Sequence, residues 1–226
     1  MESKMDGNPG GPKEYYVLVD YDNFVLNVLG SKRRDATYSL FDVVKQLDSK
    51  SDFFCGATAR SKVYVFLYGG WYFYDRQSYD AQNLSYLRGK SLTYYKDRTP
   101  LYVYYRLSEQ LFSMENNSSP LYATFRRTPF PSDQCPTCRT IKPGGYQNYQ
   151  KMVDTMLCCD LLYLSEREKR IAVVTADDDL VPPLLQESLL GNPVYHVLTA
   201  EPEPSSAFRL YYEPLCPDNY HRIVLN

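Results

Sequence analysis

Short apolar runs alternate along this chain with segments of helical period, and that alternation constrains the fold more than any other feature. Residues 15–20 (YYVLVD), 63–68 (VYVFLY), 101–105 (LYVYY), 121–126 (LYATFR), 171–174 (IAVV), 194–198 (VYHVL) and 222–225 (RIVL) are each a few residues of β-branched or aromatic character. Runs this short suit strands buried in a sheet. Between them, Leu40, Val43, Val44 and Leu47 fall at i, i+3, i+4 and i+7, which predicts a helix over about 37–47. Val153, Met156, Leu157, Asp160, Leu161 and Leu164 give the most regular helical stripe, over 147–164. A helix after the first strand would carry Phe24, Val25, Val28 and Leu29, with Asp22 and Asn23 as caps, and 75–88 reads as weakly helical. Pro182 and Pro183 restrict another helix to starting near them. Strands alternating with helices predict an α/β fold: a mainly parallel central sheet flanked by helices.

The chain has 226 residues, enough for one α/β domain, expected over 14–226, with a Tyr-rich insert at 95–145 that contains a CxxC. The polar, Gly/Pro-rich opening MESKMDGNPGGPKE lacks the apolar core of a secretory signal, so 1–13 is expected as a disordered tail. No apolar run approaches a membrane span. Six cysteines without a secretory signal point to a reducing, cytoplasmic setting. The formal charge is −2, which excludes binding a polyanion by overall charge. Twenty-three tyrosines serve strand and core filling first, and base stacking second.

Three sequence-distant places carry acids where an α/β site would want them. Asp20, with Asp22 and Asn23, closes the first strand; Asp154 lies early in the regular helix, one turn after Lys151; Asp177, Asp178 and Asp179 follow the strand at 171–174. Ligands of open parallel sheets bind beyond the carboxyl ends of the strands, so Asp20 and Asp177 are expected at neighbouring strand ends. Crowded carboxylates repel one another unless a cation neutralises them, and oxygen ligands favour Mg²⁺ or Mn²⁺ over zinc. The plainer alternative is that Asp22 and Asp177–Asp179 cap helices. Asp160 sits on the apolar stripe, which predicts a buried structural hydrogen bond instead of a ligand.

VDYDN at 19–23, KMVDTMLCCDLL at 151–162 and VVTADDDL at 173–180 together resemble, in order and spacing, the motifs of the NYN domain, a PIN-like family. The likeness extends over about 15–225. It implies a metal-dependent endoribonuclease that hydrolyses RNA, with Asp20, Asp154, Asp177 and Asp179 as catalytic metal ligands; the tyrosines of the insert, on which unpaired bases could stack, favour single-stranded RNA. Asn23, Lys151, Thr175 and Asp22 would support these four aspartates. Departures are Gln150 where many relatives have Glu, Thr175-Ala176 for Ser-Gly, and Leu180 for Phe; none removes a carboxylate.

Cys135-Pro-Thr-Cys138 has the spacing of half a zinc site, which Cys55, Cys216, His196, His221 or a second subunit could complete; the alternative is a loop with two free thiols. Phosphate contacts are expected first from Arg126, Arg127, Arg139 and Lys142, with Lys32-Arg33-Arg34, Lys96 and Arg98 as further candidates. Two other functions fit parts of the pattern. Asp20-x-Asp22 and TADDD resemble a phosphatase of the haloacid dehalogenase type, although the hydroxyl residue expected after DxD is missing. A non-catalytic module that binds RNA or a partner protein, or a homodimer, would keep the fold.

Overall fold

The computed structural model describes residues 13–29, 36–73, 76–87, 89–108, 111–114, 128–130, 147–149, 153–206 and 208–225. Seven strands form the main sheet: β1 (Glu14–Asp20), β2 (Lys62–Tyr68), β3 (Ser91–Lys96), β4 (Thr99–Leu107), β5 (Arg170–Val174), β6 (Val194–Leu198) and β7 (Tyr220–Val224). Their spatial order is β7-β6-β5-β1-β2-β4-β3, with every neighbouring pair parallel except β3 against β4. The α/β expectation thus holds: a mostly parallel sheet flanked by helices.

The apolar runs become strands because both of their faces are covered. Val17, Leu18, Val19, Val65, Leu67 and Val174 are all at most 1% exposed. On one face, α1 (Ala36–Lys50) brings Phe41 edge-on to Tyr94, and the segment after it packs Phe53 and Phe54 against Tyr15. Leu40, Val43, Val44 and Leu47 are the buried stripe of α1, as its period predicts; each contributes about 1.5–3 kcal/mol by leaving water. On the other face, α2 (Val153–Ser165) lies over β1, β2 and β5, and α3 (Val181–Leu189) lies beside it over β6. Pro182 and Pro183 occupy the first turn of α3, where a missing N–H costs nothing.

Several local expectations fail for identifiable reasons. The helix expected from 147 begins at Val153, because Gln147–Tyr149 pair antiparallel with Thr128–Phe130. The stretch 75–88 divides into a small hairpin strand at Arg76–Gln77, a helix at Tyr79–Asn83 capped by Ser78, and a 3₁₀ turn at Ser85–Leu87. After β1 the helix Tyr21–Phe24 widens into a π-turn over Val25–Leu29, and its cap is Asp20, not Asp22 or Asn23. The run at 101–105 forms a strand as its composition predicts, β4, which puts this part of the expected insert inside the sheet, whereas β3 has no counterpart among the predicted strands. The strand expected at 121–126, the basic run Lys32-Arg33-Arg34 and the tail at 1–12 lie outside the described residues.

β3 and β4 are joined by Asp97 and Arg98, which both have positive φ, at 45° and 71°. That geometry is the one a two-residue I′ hairpin turn demands and that glycine adopts at least cost. Arg98→Gly is expected to stabilise the protein by about 0.5–1 kcal/mol, read from the midpoint of chemical denaturation. A lower midpoint would show that the arginine side chain contributes more than its backbone costs. Lys96, one residue earlier, is half-buried and pairs with Asp48 at 2.6 Å, an acceptor shared with Tyr94 Oη at 2.5 Å. It is a tie between β3 and α1, not the free phosphate contact the sequence suggested.

Candidate functional site

The order of the strands marks one place. The chain runs from β1 outward through β2 to β4, then returns to the other side of β1 as β5 and continues outward to β6 and β7. The sheet therefore reverses direction between β1 and β5, and a crevice opens at such a point beyond the carboxyl ends of the strands. Register places Val19 opposite Val174, so the residues that follow, Asp20 and Thr175, meet at the mouth of the crevice.

Asp20 is 4% exposed. Its Oδ2 accepts from Thr175 Oγ1 at 2.9 Å, and its Oδ1 accepts from the Asn23 backbone N–H at 3.3 Å, which makes it the cap of the following helix. Thr175 is wholly buried, and its hydroxyl also accepts from the Asp177 N–H at 3.0 Å. One hydroxyl thus joins the carboxylate of Asp20 to the backbone of Asp177. Asp177 in turn caps a 3₁₀ turn (Asp178–Leu180), its Oδ1 accepting from the Asp179 N–H at 2.9 Å. The capping role and the site role fall on the same residues.

Asn23 acts as a clamp. Its Oδ1 accepts from the Ala176 N–H at 3.0 Å, from Thr199 Oγ1 at 2.7 Å and from Asn27 Nδ2 at 2.9 Å. The strand ends of β1, β5 and β6 are pinned to one amide oxygen. Asn27 and Thr199 carry no signal of this role in the sequence, since the contact spans 172 and more positions.

Asp154 enters from the first turn of α2, which runs antiparallel to the strands. Asp154 keeps an exposed surface, but partial desolvation by the surrounding chain raises its pKa first, and the charges of Asp177, Asp179 and Asp22 raise it further. Asp20 is pushed up to about 6 by burial, which outweighs the lowering by the hydrogen bonds from Thr175 and Asn23; the charges of Asp154 and Asp22 add smaller upward contributions. The structure therefore brings Asp20, Asp22, Asp154, Asp177 and Asp179 into one electrostatic neighbourhood. Among the described residues, no three His, Cys, Asp or Glu side chains already stand at metal-ligating spacing. The carboxylates repel one another as they are placed, and closing them around a site requires positive charge between them.

Thr175 holds the carboxyl of Asp20 below the level that burial alone would give it. Thr175→Val removes its donor, and the carboxyl of Asp20 is expected to titrate higher by roughly a pH unit, read from its carboxyl ¹³C resonance across a pH series. Thr175→Ser should leave the midpoint in place. Equal midpoints in wild type and Thr175→Val would show that this hydroxyl does not govern the carboxylate.

Of the other sequence candidates, Asp160 is 1% exposed and accepts from Tyr68 Oη and the Phe112 N–H, both at 2.8 Å, the buried structural role expected of it. His196 is sealed in the sheet with Nδ1 bonded to Tyr220 Oη at 2.7 Å, and burial lowers its pKa to about 4; it is not available as a zinc ligand. His221 stacks on Tyr195, Cys55 is exposed, and Cys216 is half-buried. Cys135, Cys138, Lys151, Arg126, Arg127, Arg139 and Lys142 lie outside the described residues. Among the described residues no helix is long and apolar enough to cross a membrane. No protein-family model, curated protein or solved structure matches this chain.

Proposed function

We propose that this protein is a divalent-metal-dependent endoribonuclease of NYN or PIN-like type, hydrolysing single-stranded RNA at the crevice between β1 and β5. One observation carries the reading: the sheet reversal brings Asp20 and Asp177 together on a shared hydroxyl, and the first turn of α2 adds Asp154 to the same field. The spacing of the NYN motifs in the sequence agrees with that convergence. The donor set suits Mg²⁺ or Mn²⁺, since it is all oxygen and carries more negative charge than the neighbourhood tolerates. Asp20, Asp154, Asp177 and Asp179 would hold the ion, which supplies an activated water and stabilises charge on a scissile phosphate. Asn23 and Thr175 position the carboxylates. With a pKa near 6, Asp20 is ionised above that pH, so activity should rise as pH passes through about 6.

The test is incubation with labelled single-stranded RNA and DNA, with Mg²⁺, with Mn²⁺ and with chelator. Internal cleavage of RNA that needs the metal supports the reading. Hydrolysis of small phosphate monoesters without RNA cleavage would point to the haloacid dehalogenase-like alternative, and RNA binding without cleavage to a non-catalytic module. The reading also includes RNA contacts from Arg126, Arg127, Arg139 and Lys142, and a zinc ion at Cys135 and Cys138, which elemental analysis of wild type beside Cys135→Ser decides.

A further inference from the structure

At the opposite end of β1 from Asp20, a cleft of about 380 Å³ opens between the sheet and the end of α2. It is about 13 Å from Asp20 along the strand, counting four residues from Tyr16. Tyr16, Tyr64 and Phe66 line it, and Tyr16 and Tyr64 belong to a lateral row of rings that continues beyond the cleft to Tyr104. Register aligns Tyr16 of β1, Tyr64 of β2 and Tyr104 of β4, all on the α2 face. Tyr16 and Tyr64 have centroids 5.4 Å apart, and Tyr64 stacks on Tyr104 at 5.6 Å. In the next row Phe66 stands beside Arg106. All three tyrosines are half-buried, whereas tyrosines on the other face, such as Tyr15 and Tyr105, are 1% exposed. The row is thus a surface left partly open.

The charge of the cleft is opposite to that of the chain. Arg106, Arg167 and Lys169 line it together with one carboxylate, Glu14, giving a local excess of two positive charges. Glu14 is taken by Lys169 at 2.9 Å. Neither arginine has a carboxylate partner among the described residues. Arg106 lies over the Tyr64 ring at 5.8 Å, and Arg167 over the Tyr163 ring at 3.4 Å. Guanidinium groups held on ring faces and unpaired with carboxylates are available to an anion.

We propose that this cleft binds a nucleoside monophosphate unit, with its base on the Tyr16–Tyr64 platform and its phosphate on Arg106 and Arg167. A sheet-borne aromatic row is a general means of stacking a base. Cavities of roughly 300–1,000 Å³ take ligands of this class. A purely apolar occupant would leave the arginines unused, and a bare anion would leave the rings unused. The unit can be a free nucleotide or one position of a single strand. The proposal does not rest on the hydrolase reading.

The experiment measures binding by titration calorimetry in chelator, so that no cleavage intervenes. The probes are AMP, adenosine, inorganic phosphate and a single-stranded RNA pentamer. AMP is expected to bind at least about tenfold more tightly than adenosine or phosphate. Arg106→Ala, at an exposed site that does not threaten folding, should weaken AMP about tenfold, and Tyr64→Ala by a similar factor. A pentamer that binds about tenfold more tightly than AMP, and is weakened by the same changes, identifies the strand as occupant; AMP as tight as the pentamer identifies the free nucleotide. AMP no tighter than phosphate or adenosine, or indifferent to Arg106→Ala, overturns the proposal. A protein that binds AMP here and cuts no RNA retains the cleft and loses the ribonuclease reading.

Discussion

Asp20→Asn should abolish metal-dependent RNA cleavage and, in the absence of metal, make the protein more stable. Both effects come from the burial of one carboxylate. At 4% exposure Asp20 is pushed up to about 6 from an ordinary 3.8. A raised carboxyl pKa means that the folded chain holds its proton where the unfolded chain has lost it. Between pH 4 and 6 the folded state therefore binds more protons, and its stability falls as pH rises. Above about pH 6 the whole penalty is present, about 3 kcal/mol for a shift of this size. Asparagine has the same shape without the charge, but it offers one acceptor oxygen where Thr175 Oγ1 and the Asn23 N–H now use two. After about 1 kcal/mol for that loss, the metal-free variant should be about 2 kcal/mol more stable than wild type near pH 8. The gain should fade toward pH 4. Saturating Mg²⁺ should reverse the order, because the ion stabilises only the chain that binds it. Cleavage should fall on the order of 10³-fold, the scale of losing a group that stabilises developing charge. Denaturation curves at pH 4.5 and 8, with and without Mg²⁺, and a cleavage assay read all of this. A variant that still cuts at the wild-type rate removes Asp20 from the chemistry. One that is less stable than wild type at pH 8 without metal removes the account of its burial.

How far the sequence reveals this arrangement depends on whether the signal is local. The strands β1, β2, β5 and β6 and the buried stripe of α1 were legible because each is a run or a period that one segment carries by itself. β3 was not, because it is an edge strand: Leu92 and Tyr94 are half-buried while their neighbours face water. Its turn, Asp97-Arg98, also lacks the glycine by which such hairpins announce themselves. The start of α2 is not legible for a different reason: Gln147–Tyr149 are strand only through pairing with residues about twenty positions away.

The site divides along the same line. Acids at strand ends can be seen in the sequence, and the placement of Asp20 and Asp177 follows from them. Thr175 is legible in the sequence as a supporting residue and as a departure from Ser, but the bonds by which its hydroxyl joins the two carboxylate residues exist only in three dimensions. The clamp that Asn27 and Thr199 complete around Asn23, and the row of Tyr16, Tyr64 and Tyr104, require the register of several strands at once. Asp20 also shows that a cap and a carboxylate of the candidate site need not be different residues. The geometry that points a carboxylate at a helix N-terminus also places it at the mouth of the crevice.

Two acids on α2 separate a core position from a place in the candidate site most sharply. Asp154 and Asp160 lie six positions apart, yet one faces the acidic crevice and the other lies in the core. Asp160 accepts from Tyr68 Oη and the Phe112 N–H, and burial, followed by Asp160 itself, raises the pKa of Tyr68 well above its ordinary value. Asp160→Leu fills much of the space but leaves two buried donors without this acceptor, each at about 1–3 kcal/mol. The expected loss is about 4 kcal/mol, or roughly 10 °C in Tm for a chain of this size. Asp160→Asn keeps one acceptor and should cost about 2 kcal/mol, since its amide nitrogen must face the second donor. Tyr68→Phe should cost about 1 kcal/mol and relieve part of that conflict. The pair should then show a coupling of about 1 kcal/mol in a double-mutant cycle. The Mg²⁺ concentration that half-activates Asp160→Asn should equal that of wild type, whereas in Asp154→Asn it should rise at least tenfold. Additive losses in the cycle would mean that the Tyr68–Asp160 bond is geometrically present and energetically idle. A shifted Mg²⁺ midpoint in Asp160→Asn would mean that the core bond extends its influence to the crevice.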